Sequence, residues 1–328
     1  MKVLITGGAG YIGATIVTAC EDAGIAPIIL DNFTSGSRAF VRGRTCYEGD
    51  IADGAMIDRI FAEHPGIHAT IHCAALTVVA DSVRDPMRYY QENVGKSLEF
   101  FGHLLRNGAR RLVFSSSAAV YASLDGGRMD ESFPLAAASP YARTKYLTEA
   151  ALQDVAGAQA IRVIAFRYFN PIGADPRLRT GSPVRYPTHV IGQLLKAFRT
   201  GEPFTVMGTS WPTRDGSSVR DYIHVWDLAL GHISALRRFD EVIPPGGSGG
   251  YEVINLGTGR GTTVRELHAA FAATTGQPLG LVETLARPGD VIGGFTSIDK
   301  ALRLLGWKPE LSVTDGISSA LAWNARMT

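Results

Sequence analysis

The sequence predicts an α/β protein in which a doubly wound parallel sheet is followed by a smaller, mixed α/β unit. Three observations carry the prediction. Short β-branched runs alternate with longer helical patterns through the first half, which implies right-handed βαβ crossovers and a parallel sheet covered on both faces. A glycine-rich turn, Thr6-Gly7-Gly8-Ala9-Gly10-Tyr11-Ile12-Gly13, joins the first strand to the first helix. After Asn170-Pro171 the texture changes to loops dense in Pro, Gly and Arg, with fewer strands and several helical segments. The expected division is 1–169 for the sheet domain and 170–328 for the second unit, with some later segments returning to the first domain.

Taken in order, strands are expected at Lys2 to Thr6, Pro27 to Leu30, Thr45 to Glu48, Ala69 to His72, Arg111 to Phe114 and Arg162 to Phe166, all runs of strand length and strand composition. Helices are expected between them at Tyr11 to Ala23, Asp53 to Glu63, Pro86 to Asn107 and Tyr141 to Val155. The stretch from Pro244 to Gly250 resembles a linker and reads equally well as a surface loop between helix and strand. Asp299 to Leu305 and Asp315 to Asn324 are the clearest helices of the second unit. That unit is expected to lie over the carboxyl ends of the strands, where open α/β sheets bind ligands.

Composition narrows the function classes. A chain of 328 residues with 45% apolar and 19% charged residues has the size and composition of a globular enzyme. A net charge of +1 leaves no global basic field, so nucleic acid is not an expected partner. Cys20, Cys46 and Cys73 form an odd, scattered set without CxxC spacing. That argues against a disulfide framework or a metal site and fits a reducing, cytoplasmic setting. No segment has the length and apolarity expected of a membrane span. The 37 glycines are the unusual feature, and they ask for a local reason.

The first such reason is the turn at Gly7, Gly10 and Gly13. In a strand-turn-helix context these residues allow a tight turn and close backbone approach to a pyrophosphate, with Tyr11 and Ile12 opening the helix whose free amides face the anion. Asp31, at the end of the second strand, is placed to accept bonds from the adenosine ribose hydroxyls, and its charge favours NAD over NADP. Asp50 and Ile51 after the third strand, and Cys73, Ala74 and Ala75 after the fourth, would also border the cofactor.

A second constellation follows the fifth strand. Phe114-Ser115-Ser116-Ser117 precedes Tyr141-Ala-Arg-Thr-Lys145 by 24 residues counted from Ser117. On a helix, positions i and i+4 share a face, so the Lys145 ammonium is expected near the Tyr141 phenol. Two positive neighbours, Lys145 and an oxidised nicotinamide, would favour phenolate and make Tyr141 a general base at neutral pH.

With these residues in view, the chain resembles the extended short-chain dehydrogenase/reductase superfamily, whose cofactor domain is a Rossmann fold, and within it the UDP-glucose 4-epimerases. TGGAGYIG, DN at 31–32, EGDI at 48–51, FSSSAAVY at 114–121, SPYARTK at 139–145, RYFNPIGADP at 167–176, WPTRDGSSVRDYIHVWDLA at 211–229, NLGTG at 255–259 and RPGD at 287–290 carry the resemblance nearly end to end. It implies an isomerase acting on a UDP-hexose with NAD: hydride leaves C4, a 4-keto sugar turns in the pocket, and hydride returns to its other face. Tyr141 would take the proton of the 4-hydroxyl, Ser117 would bond the reacting oxygen, and Lys145 would also hold the nicotinamide ribose. The resemblance further implies Asn32, Asn93 and Tyr168 beside the cofactor. It implies Asn170, His189, Val190, Arg220, Arg287 and Asp290 around the UDP-sugar. Homodimers through a pair of exposed helices are common in the superfamily.

Four departures bear on the substrate. Thr77 stands where the family often has Lys, and Gly95-Lys96-Ser97 replaces the usual end of an NVxGT pattern. Gly294 stands where a Tyr or Cys is common, either as room for an N-acetyl group or as part of a looser loop. Arg177, Arg179 and Arg185 occupy a loop that is commonly acidic, which suits either solvent or a uronic acid substrate. A rival 4,6-dehydration lacks its carboxylates, since Ala118 and Ala119 stand at those places, and a silent NAD-binding scaffold would not need Ser117, Tyr141 and Lys145 together.

Overall fold

The structure, a computed structural model, describes residues 1–122, 125–159, 161–246, 250–286 and 290–327. The first half runs β1 (Lys2–Thr6), α1 (Tyr11–Asp22), β2 (Ala26–Asp31), β3 (Cys46–Glu48), α2 (Gly54–Glu63), β4 (Ile67–His72), α3 (Val79–Arg84), α4 (Pro86–Tyr90), α5 (Lys96–Arg106), β5 (Arg111–Ser117), β6 (Asp125–Met129), α6 (Pro140–Ala158) and β7 (Arg162–Tyr168). The second half runs β8 (Asn170–Ile172), α7 (Val190–Thr200), β9 (Phe204–Met207), β10 (Val219–Arg220), β11 (Tyr222–His224), α8 (Val225–Val242), β12 (Tyr251–Leu256), β13 (Thr262–Thr263), α9 (Val264–Thr275), β14 (Leu281–Thr284), β15 (Gly293–Thr296), α10 (Asp299–Leu305) and α11 (Val313–Arg326).

Seven parallel strands form the main sheet in the order β12-β7-β5-β4-β1-β2-β3, the Rossmann arrangement. Its strands are apolar on both faces, and parity decides which core each residue joins. Val3 and Ile5 of β1 pack with Ile16 and Val17 of α1 and Leu228 and Leu236 of α8. Leu4, between them, packs with Ile57, Phe100, Leu104 and Leu152 of α2, α5 and α6 on the other face. A third core, including Leu194, Phe204, Tyr222, Phe271 and Ile317, fills the second unit.

The topology sets the position of the site. Chain order reverses on either side of β1, which lies between β2 and β4, and this switch point opens a crevice at the carboxyl ends of the strands. β12 lies beyond residue 170 yet pairs with β7 from Tyr251↔Val163 to Leu256↔Tyr168, and α8 packs on α1, so the layered unit draws on both halves of the chain. Pro244 to Gly250 joins α8 to β12, and its residues 247–249 lie outside the described set.

Three expectations change. The helix expected from Pro86 to Asn107 is interrupted at Gln91–Gly95 by a π-helical turn, and α3 precedes it. The second half holds eight strands of two to six residues among the described residues, where fewer strands were expected; the four of two or three residues are too short to show a period in the sequence. Gly293 and Gly294 are no loop but part of β15, paired with β6 and β10.

Candidate active site

The nucleotide end is built on backbone geometry. A Cβ on Gly7 would lie 2.7 Å from the Ala74 amide nitrogen, and one on Gly13 would overlap the Gly7 carbonyl oxygen, so β1, the turn and the β4 loop approach as only glycine permits. No side chain caps α1 at Gly10 and no acidic residue stands in its first turn, which leaves the amides around Tyr11 and Ile12 suited to an anion. Asp31 is held at the end of β2 by bonds from the Ala9 amide (2.9 Å) and the Phe33 amide (2.8 Å). Asn32 turns back on Thr34 and Asp50, and Asp50 accepts from Lys96 Nζ at 2.7 Å beside the buried Ile51. This cradle fits an NAD diphosphate and ribose: glycines where a Cβ would intrude, uncapped amides, and a fixed carboxylate.

The chemistry-bearing end lies at the far tip of β5. Ser139 caps α6, accepting from the Ala142 amide at 3.1 Å, and Pro140 occupies the first turn where its missing N–H costs nothing. The Tyr141 phenol lies against the Ser117 hydroxyl. Burial raises the phenol above its ordinary value of 10.0, and Ser117 acts against that rise.

Lys145 is anchored to the sheet. Its ammonium is buried, donates to the Ser115 carbonyl at 2.7 Å and lies 5.0 Å from the centre of the Phe114 ring. The i, i+4 spacing fixes only the direction of the Cα–Cβ bond, and the flexible four-carbon stem follows the strongest nearby acceptor, the carbonyl at the end of β5. Burial brings this ammonium down to about 8. The Lys145 ammonium is thus bonded to the strand two residues before Ser117, and burial of the Tyr141 phenol acts against the ionisation that the spacing predicts.

Around this pair lies polar structure that spacing alone does not show. The buried Asn93 clamps the β4 loop, accepting from the Leu76 amide (2.8 Å) and donating to the Leu76 carbonyl (2.9 Å) and to Thr144 Oγ1 on α6 (3.1 Å). The loop carrying Cys73, Ala74 and Ala75 is thereby fixed to the helix that carries Tyr141. The buried Tyr168 hydroxyl meets Ser115 Oγ at 2.7 Å and His232 Nε2 at 2.6 Å. His232 Nδ1 must donate to the Leu228 carbonyl (2.9 Å), so Nε2 is the acceptor and Tyr168 the donor. Ser115 Oγ also reaches Cys73 Sγ at 3.1 Å.

The second unit carries Asn170, Arg220, His189 and Val190, among the residues expected around the UDP-sugar. Asn170 sits where β8 pairs with β11, its amide and side chain both donating to the Asp221 carbonyl (2.9 and 3.2 Å). Arg220 Nη1 donates to the Val219 and Ile292 carbonyls at 2.7 and 2.9 Å, and Nη2 to the Val291 carbonyl at 3.2 Å. His189 stands at the N-cap of α7 and Val190 begins that helix; His189 and Tyr11 line one small cavity with Trp323 and Asn324. Asp290 precedes the segment that Arg220 grips. Arg287 lies outside the described residues.

The arginine loop is largely engaged by the chain's own acids. Arg179 donates to Asp22 (2.7 and 2.9 Å) and to Asp175 (2.6 and 3.0 Å), and Arg177 reaches Asp22 at 3.5 Å, while Arg185 is exposed. The buried Asp221 was also missed: its carboxylate accepts from the Thr258 amide (2.7 Å) and hydroxyl (2.6 Å) and from the Gly259 and Thr296 amides (3.2 and 3.3 Å), joining three segments of the second unit. All three cysteines are free thiols. Among the described residues there is no cluster that could hold a metal ion and no helix long and apolar enough to cross a membrane.

Comparison with known proteins agrees with this architecture. Residues 3–257 match the family described as NAD dependent epimerase/dehydratase. The UDP-glucose 4-epimerase of Rhizobium leguminosarum bv. trifolii is 38% identical over 325 residues, covering 99% of this chain and 97% of the relative. That of Azospirillum brasilense is 37% identical over 325 residues, 98% of this chain and 91% of the relative. The crystal structure of the Stenotrophomonas maltophila UDP-glucose-4-epimerase, with bound NAD and formylated UDP-arabinopyranose, superposes with a TM-score of 0.93 at 34% identity and covers 100% of this chain and 98% of its own. Fold, glycine cradle and full-length similarity together make this chain a member of the NAD-dependent epimerase/dehydratase family.

Proposed function

We propose that the protein is a UDP-hexose 4-epimerase that inverts UDP-glucose and UDP-galactose by transient oxidation at C4. The observation that carries the reading is the meeting of Tyr141 and Ser117 at the carboxyl end of β5, in the sheet whose β1 turn forms the glycine cradle. Gly7, Gly10, Gly13 and Asp31 would hold NAD. When bound, that cofactor supplies the hydride acceptor and donor and, while oxidised, a positive charge that favours phenolate. Tyr141 takes and returns the proton of the 4-hydroxyl, Ser117 orients that oxygen, and Lys145 holds the end of β5 in place. The second unit, 170–328 without α8 and β12, would hold the UDP moiety through Asn170, His189, Val190, Arg220, Arg287 and Asp290. A neutral hexose is preferred over a uronic acid because Arg177 and Arg179 already serve Asp22 and Asp175.

Val83 and Met87 (63% and 64% exposed), with Leu98, Tyr146 and Leu147, leave an apolar face on α3 to α6 that suits a second copy of the chain. Three free thiols support a reducing, cytoplasmic setting. The activity is tested by NMR of products from UDP-glucose, UDP-N-acetylglucosamine and UDP-glucuronate. The expected result is UDP-galactose from UDP-glucose at the highest rate, with turnover reduced by orders of magnitude in Tyr141→Phe while UDP binding is retained. Near-normal turnover in that variant, or a preference for UDP-glucuronate, defeats the reading.

A further inference from the structure

We propose that Glu149, paired with Arg167, is a positioning residue that seats the helix carrying Tyr141 and Lys145 on the sheet and keeps the Lys145 ammonium charged; the proposal rests on the reading of the site given above. Glu149 follows Lys145 by four residues and Tyr141 by eight on α6, so the three share one helix face. The side chains of Glu149 and Arg167 are each 5% exposed. Arg167 Nη2 donates to Glu149 Oε2 at 2.7 Å and Arg167 Nε to Oε1 at 3.1 Å. The Ser116 hydroxyl donates to Oε1, and the Tyr251 hydroxyl to Oε2 at 3.3 Å. One carboxylate is therefore bonded from β5, β7 and β12, three adjacent strands. Its contact on β5 lies between Ser115, whose carbonyl holds Lys145, and Ser117, which faces Tyr141.

Stability alone does not call for charges here. Desolvating a buried ion pair offsets most of its Coulomb attraction, and well-packed apolar residues of like volume serve a fold as well or better. The charge has another target. The titratable groups acting on or facing Lys145 are His72 on β4, Cys73 in the following loop and Glu149 on its own helix. Burial holds the Cys73 thiol up at about 11 and the His72 imidazole down at about 3, so both are neutral at pH 7. Glu149, its charge partly offset by Arg167, is then the carboxylate among them that opposes the loss of the Lys145 proton.

The test is a pH titration of the holoenzyme labelled with ε-13C lysine, Lys145→Met assigning the resonance among six lysines. Glu149→Gln is expected to lower the Lys145 midpoint by about one pH unit or more. The alkaline limb of kcat for UDP-galactose moves down with it, and KM stays within about twofold. Because this variant leaves Arg167 buried without its partner, Glu149→Leu with Arg167→Met is the companion: melting at or above the parent temperature, with a midpoint still below the parent's but lowered less than in Glu149→Gln, since the Arg167 charge leaves with the carboxylate. A parent-like Lys145 midpoint in the folded double variant overturns the proposal. Parent protein that shows the Lys145 titration and its shift in the variants but epimerises no UDP-sugar refutes the proposed activity and leaves the pairing standing.

Discussion

At the scale of single residues, the site combines groups whose burial works against their ordinary ionisation. Lys145 is the clearest case, its ammonium brought from 10.5 to about 8 by loss of hydration. The folded chain therefore holds this proton less tightly than the unfolded chain. The resulting penalty, on the order of 3 kcal/mol, is complete below about pH 8 and disappears as pH rises toward the unfolded value. Lys145→Met is accordingly expected to raise the melting temperature by a few degrees at pH 7, to lose that advantage by pH 10, and to abolish turnover. A melting difference that does not change with pH would remove ionisation as its cause. Such an outcome would also weaken the case that a buried charge is maintained here for chemistry at the expense of stability.

At the scale of elements, the β1 turn is shaped by what it must not contain. The Gly7 carbonyl occupies the space that a Cβ on Gly13 would need, and α1 begins with amides that no side chain caps. Gly13→Ala forces the turn and the start of α1 apart. It is expected to yield folded protein that retains less than about a tenth of the nucleotide released by the parent on denaturation, since helix and diphosphate contacts depend on that separation. Equal nucleotide content in the two proteins would show that the turn has another role. The π-helical turn at Gln91–Gly95 is a second device of this kind. It presents Asn93 to Leu76 and Thr144 at once, so that one amide registers the β4 loop against α6. Neither its position nor its partners follow from helical periodicity, because the extra residue in the turn breaks the period locally.

At the scale of the whole molecule, α5 and α6 help to cover one face of the sheet, α3 and α4 pack on α6, and these four helices leave apolar side chains outward. Leu147 is 43% exposed and Tyr146 42%, on the same helix whose inner face carries Lys145 and Glu149. Pairing of that face with a second copy would brace the helix that positions Tyr141. Light scattering of the parent is expected to report a dimer, and Tyr146→Glu with Leu147→Glu a monomer of lower melting temperature. A monomeric parent would assign the face to some other partner.

The sequence by itself determined the alternation of strand and helix in the first half, the glycine cradle with Asp31, and the candidacy of Ser117, Tyr141 and Lys145. Each of these rests on short-range rules: residue spacing, β-branching and the missing Cβ of glycine act within a few residues of chain. Tertiary structure alone decided that Lys145 turns to Ser115, that Arg179 is spent on Asp22 and Asp175, and that Asp221 and Glu149 are buried hubs. A polar side chain's partner is set by which carbonyl, carboxylate or amide the packed strands bring within about 3 Å; apart from Arg179 with Asp175, four residues away, the partners in these contacts lie 18 to 157 positions apart and carry no local signature of their meeting.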